Sequence, residues 1–151
     1  MSLPLPAHKH VPGENARHPD GAFDWIRDQA EAEAGNAAWE YGLRLLHEGF
    51  YWEAHEVLEP VWMAAAPNSA EKAMSQAVIQ LANAALKQEM GRPKAAARLA
   101  AMVEALAAEA ARGGAVVLGI DVTELAQAAQ VIGGGKGPAL AELYSGWVKR
   151  R

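Results

Sequence analysis

The chain has no cysteine. That excludes a disulfide framework, a Cys-ligated zinc or iron–sulfur site, and a thiol nucleophile. It also lacks an apolar run of about 18 residues, the minimum for a bilayer span. The best stretch, Met74 to Leu86, is interrupted by Ser75, Gln76, Gln80 and Asn83. No cationic start leads into an apolar segment at the N-terminus, so no secretory signal is read there and the expected location is cytoplasmic. Basic residues are outnumbered, 14 Lys and Arg against 18 Asp and Glu. A phosphate backbone calls for clustered cations, so neither nucleic acid nor membrane is an expected partner. Aromatic residues are scarce at 7% and runs of β-branched residues are almost absent, which argues against a sheet.

What is present is apolar and helical. The chain has 151 residues, 51% of them hydrophobic with a large alanine share. That is too apolar for disorder and long enough for one domain that buries most of its apolar surface. Residues 1–22 read as an extended arm, because Pro4, Pro6, Pro12 and Pro19 with Gly13 and Gly21 forbid a continuous helix. Its His8, His10 and His18 are read as solvated tail residues in preference to metal ligands. Residues 23–151 read as a single helical domain.

Helices are expected over Asp24–Ala34, Ala37–Glu48, Tyr51 to about Ala65, Asn68 or Ser69 to Met90, and Pro93–Arg112. Pro60 should bend the third or break its hydrogen-bond ladder. Val116-Val117-Leu118 is too short to argue a sheet. Asp121 or Thr123 caps a short helix to Ile132, Gly133 to Gly137 is a loop, and Pro138 opens a last helix to about Trp147. The loop resembles a phosphate-binding turn but lacks the hydroxyl residue after Lys136 and follows no strand. The expected architecture is all-α, a mostly antiparallel bundle of about five to seven helices behind an extended N-terminal arm. The alanine-rich fifth helix is either internal or a subunit interface.

One segment concentrates polar and aromatic residues: Tyr51-Trp52-Glu53-Ala54-His55-Glu56-Val57-Leu58-Glu59-Pro60-Val61-Trp62. On a helix, Tyr51, Ala54, His55, Leu58 and Trp62 share one side, which reads as the core side. Glu59 is one turn from His55, Glu56 lies at the flank, and Glu53 points towards water. In the next helix Gln76, Gln80, Asn83 and Lys87 align at i, i+4, i+7 and i+11. Facing inward, their amides would need partners, and His55 with Glu59 is the expected pair. Two readings stay open. One is a satisfied polar seam that fixes packing, or binds a ligand or partner. The other takes His55 and Glu59 as ligands of a divalent metal such as zinc, with Glu56 as general base; it lacks a convincing third ligand.

The run Gly49-Phe50-Tyr51-Trp52-Glu53-Ala54-His55-Glu56-Val57-Leu58-Glu59 with Trp62 resembles the signature of domain-of-unknown-function family 309. Ile79-Gln80-Leu81-Ala82-Asn83-Ala84 with Lys87 and Gly91 is similar to its second block, and Lys94 to Leu99 also fits. The resemblance covers roughly Ala38 to Leu106. It implies an all-helical protein of a family often described as predicted metal-dependent hydrolases. Position by position it points to Glu53, His55, Glu56, Glu59, Trp62, Gln80 and Lys87. The chain departs from many relatives at Arg92, where they have Asn, and from some at Lys87, where they have His. The resulting expectation is a helical-bundle protein with a polar seam, His55 and Glu59 facing Gln80 and Asn83. It would act as a structural, oligomeric or partner- or ligand-binding module. The alternative is a metal-dependent hydrolase in which Glu56 and His55 are catalytic. The substrate is open, and a homo-oligomer is an expected assembly.

Overall fold

A computed structural model of the chain describes residues 3–135. They form six α-helices and one small hairpin: α1 (Asp24–Arg27), α2 (Ala37–His47), α3 (Tyr51–Ala64), α4 (Ala70–Glu89), α5 (Pro93–Ala110), β1 (Val116–Val117), β2 (Ile120–Asp121) and α6 (Val122–Gly133). The architecture is all-α, as the helical periodicity requires.

Side chains at the helix ends explain the boundaries. Asn36, Ser69 and Asp121 accept hydrogen bonds from the backbone N–H groups of Trp39, Lys72 and Glu124, capping α2, α4 and α6. Pro93 opens α5, where its missing N–H costs nothing. Gly49 and Gly91 follow α2 and α4 at φ +86° and +75°, a left-handed conformation that ends a helix and strains any other residue.

Two expectations about helices are corrected. The first helix stops at Arg27 rather than Ala34, and residues 28–36 are turns. In that stretch only Ala30 and Ala32 pack against the core, so there is no apolar stripe to hold a helix that would be marginal alone. The second concerns Pro60, which lies inside a continuous α3. Lacking an N–H, Pro60 frees the carbonyl of Glu56 one turn back. The Arg27 guanidinium donates to that carbonyl, so the ladder loses a rung without leaving an unpaired acceptor.

The core is built around α4, which packs between α3 and α5, with α2 against α3 and α6 against α5. Lys72 near the start of α4 contacts Trp62 near the end of α3, so these two helices run antiparallel. Ala96, Ala100, Val103, Ala107 and Ala110 form the buried face of α5. The alanine face is therefore internal. At Gly42 an added Cβ would stand 2.3 Å from Leu58 Cδ2, so α2 and α3 cross there with no room for a side chain. The hairpin turns at Leu118 and Gly119, both at positive φ, and the Leu118 carbonyl accepts the indole N–H of Trp39 at 2.9 Å. Among the described residues no helix is long and apolar enough to cross a membrane. The helix expected from Pro138 and the loop beyond Gly135 lie outside the described residues.

Candidate functional site

Helix α3 buries Glu53, Ala54, Val57, Leu58 and Val61. Its core face is thus centred on Val57, rotated from the face expected around His55. Tyr51, His55, Glu59 and Trp62 lie half-buried along one flank, and Trp52 and Glu56 along the other. The motif therefore presents its polar groups in three directions.

The first direction leads to the arm. Glu53, read from sequence as water-facing, is fully buried. Its Oε2 accepts the backbone N–H of His10 at 2.7 Å and lies 2.6 Å from His18 Nε2. A buried carboxylate is costly unless such partners compensate it, and the arm supplies both. His18 stacks on His8 with ring centroids 4.4 Å apart, and His10 meets the edge of Trp52 at 4.8 Å. Lys9 lies over the Phe50 ring and Arg17 over Trp52. His10 and His18 are packed residues, which corrects their reading as solvated, whereas His8 stays exposed. Among the described residues Glu53 Oε1 is buried with no hydrogen-bond partner, so there the carboxylate is only half satisfied.

The second direction is a polar cleft of about 200 Å³ between the arm, α1 and α3, lined by Arg17, His18, Asp24, Arg27, Trp52 and Glu56. Glu56, the expected general base, sits here with its carboxylate 3.4 Å from Arg27. On the helical wheel it is about 100° from His55. It does not share a pocket with His55.

The third direction is the flank beside α4. His55 Nε2 lies 3.2 Å from Glu59 Oε2, and both side chains are half-exposed. On α4 the half-buried positions Gln76, Gln80, Asn83 and Lys87 interrupt the otherwise buried stretch from Ala73 to Leu86. Near one end, the Lys72 ammonium donates to the Trp62 carbonyl at 2.8 Å and lies 4.0 Å over its ring. At the other end, burial first and the Glu89 charge second push the Tyr51 phenol above its usual range. Glu89 is itself raised by burial and by the charges of Glu14 and Glu53, against the pull of Lys9. Counted along two antiparallel helices from the Lys72–Trp62 contact, His55 falls near the height of Gln80 and Asn83.

The two rows form a half-open surface strip on neighbouring helices, and no hydrogen bond among the described residues joins them into the expected buried network. Among the described residues its hydrogen bonds run along each helix: His55 with Glu59, and Asn83 Nδ2 donating to Gln80 Oε1 at 3.2 Å. No amide closes on His55 or Glu59. Among the described residues the Trp62 indole N–H is buried without a partner at one end of the strip, and His47 Nδ1 is likewise unpartnered on α2.

A metal fits this donor set poorly. Among the described residues no group of three His, Asp or Glu side chains is placed to hold an ion. His55 and Glu59 supply two donors where a catalytic zinc takes three from the protein. Residues 39–99 match the model of the family described as Domain of unknown function (DUF309). Over these residues the chain is similar to the DUF309 family. The DUF309 segment takes in nearly all of α2, the whole of α3 and α4, and the start of α5. It contains Glu53 and the whole strip but leaves out His10 and His18. No curated protein and no solved structure matches the chain.

Sequence reasoning missed the Glu53 clasp. The one available signal was three histidines in 18 residues of an otherwise featureless arm.

Proposed function

We propose that this protein is a cytoplasmic protein-binding module whose recognition surface is the α3–α4 strip, and that its first partner is a second copy of the chain. The observation carrying this reading is that between Ala73 and Lys87 α4 is buried except at Gln76, Gln80, Asn83 and Lys87. Two of these, Gln80 and Asn83, fall near the height of a half-exposed His55–Glu59 pair. The strip runs about 16 Å from Gln76 to Lys87 at the rise of an α-helix. Among the described residues its amides engage each other rather than the facing helix. Donors and acceptors held at half burial favour a protein surface that completes them. In this reading Glu53 and Glu56 are structural: one fixes the arm and the other pairs with Arg27.

Sedimentation of the full chain and of a Gln80→Ala/Asn83→Ala variant, with metal analysis of protein purified without chelator or His-tag, tests the reading. The expected result is a dimer in the wild type and a folded monomer in the variant, with no stoichiometric metal. A bound metal lost in His55→Ala would instead support the hydrolase alternative with His55 and Glu59 as ligands. A variant that assembles normally but melts early would mark the strip as internal packing.

A further inference from the structure

A second surface lies at the tip of the arm, away from the strip. Leu3-Pro4-Leu5-Pro6 crosses an aromatic corner made by Trp25 and Tyr41, whose rings meet edge to face with centroids 5.2 Å apart. Alternating prolines fix φ at every second residue and push the residues before them towards extended backbone. Such a polyproline-type segment makes no internal hydrogen bonds, so its carbonyls are free to be read by a partner. The body reads two of them: the Tyr41 hydroxyl donates to the Pro4 carbonyl, and the Arg44 guanidinium to the Leu3 carbonyl. Tyrosine faces combined with donors to backbone carbonyls are how proline-rich segments are recognised in general.

The tip fits loosely. Leu3, Leu5 and Trp25 are 40%, 38% and 42% exposed, three large apolar side chains gathered at one site. A cavity of about 290 Å³ separates the segment from the wall formed by Phe23, Trp25 and Tyr41. The arm's firm attachment lies further along, where His10 and His18 meet Glu53. Residues 3–6 can therefore lift without releasing the rest of the arm.

We infer that the Trp25–Tyr41–Arg44 corner is a docking site for a proline-rich segment of a partner protein, held closed in the free chain by residues 3–6. The tethered tip is present at an effective concentration on the order of millimolar, so it screens out weak ligands and yields to a segment that fills the cavity better. This site does not depend on the α3–α4 strip.

The test uses the full chain, a synthetic Leu-Pro-Leu-Pro-Leu-Pro peptide and its Leu-Ala-Leu-Ala-Leu-Ala control. Binding is followed by NMR at the Trp25 indole N–H, assigned from its loss in Trp25→Phe. A Pro4→Gly/Pro6→Gly variant should bind the proline peptide with a saturable shift, at least about tenfold tighter than wild type as the tether's competition is removed. Tyr41→Phe in that background should weaken binding about three- to tenfold, the loss of one hydrogen bond, and Arg44→Ala should do the same independently. No saturable shift in the loosened variant overturns the proposal, as does equal binding of the alanine control. A Tyr41-dependent dimer formed by arm exchange between copies overturns it in favour of self-association.

Discussion

Helix α3 supplies the carboxylate of two carboxylate–histidine pairs that behave differently in the fold. Glu53 reaches His18 across 35 positions of chain, with side-chain exposures of 0% and 7%. Glu59 reaches His55 over a single helical turn, with 42% and 31% exposed. The first pair lies within a low-dielectric interior, where an unpaired charge is heavily penalised. The second is screened by water, and Coulomb attraction is largely offset by hydration and side-chain entropy. The histidine written into the motif is therefore the weaker one energetically. Its freedom from structural duty leaves it available for recognition.

The largest effect should come from breaking the buried pair. Glu53→Ala leaves His18 and the His10 N–H without their acceptor, and we expect a loss of about 3–5 kcal/mol in urea unfolding. Coupling should be visible in a double-mutant cycle with His18→Ala; strictly additive losses would show that the arm does not depend on the pair. Next is Arg27→Met, which strips the Glu56 carbonyl of the donor that replaces the Pro60 N–H. The expected cost is about 1–3 kcal/mol, and Pro60→Ala in the same background should recover part of it by restoring the rung. The smallest change belongs to the exposed pair. His55→Ala should shift stability by about 0.5 kcal/mol or less. A loss comparable to that of Glu53→Ala would erase the distinction between the two pairs.

Local features were legible in the sequence. Ser69, Gly91, Pro93 and Asp121 each act within one turn of the chain, so the boundaries of α4, α5 and α6 follow from caps and breakers alone. The pairing of His55 with Glu59 followed from helical spacing for the same reason. Glu53 did not, because its donors come from residues 10 and 18, and no periodicity connects an arm to a helix face. Without those donors a glutamate belongs in water, which is why the face was drawn around His55 instead of Val57. The overlong first helix has a similar origin. Alanine and glutamate favour a helix intrinsically, but residues 28–36 have little to bury. Of the seam, the sequence disclosed which residues share a row but not how far the row is open.

The bond from the Trp39 indole to the Leu118 carbonyl joins positions 79 residues apart. Helices α2 to α5, by contrast, each pack on their immediate successor, closing only short loops. Contacts between chain neighbours assemble quickly, whereas long closures wait until the intervening chain is ordered. The order of folding is thereby written into the topology. The topology predicts that the α2–α5 hairpins form before the Trp39 tie and the arm on Glu53 close over them. Hydrogen exchange should find these two closures opening before the α4 backbone does.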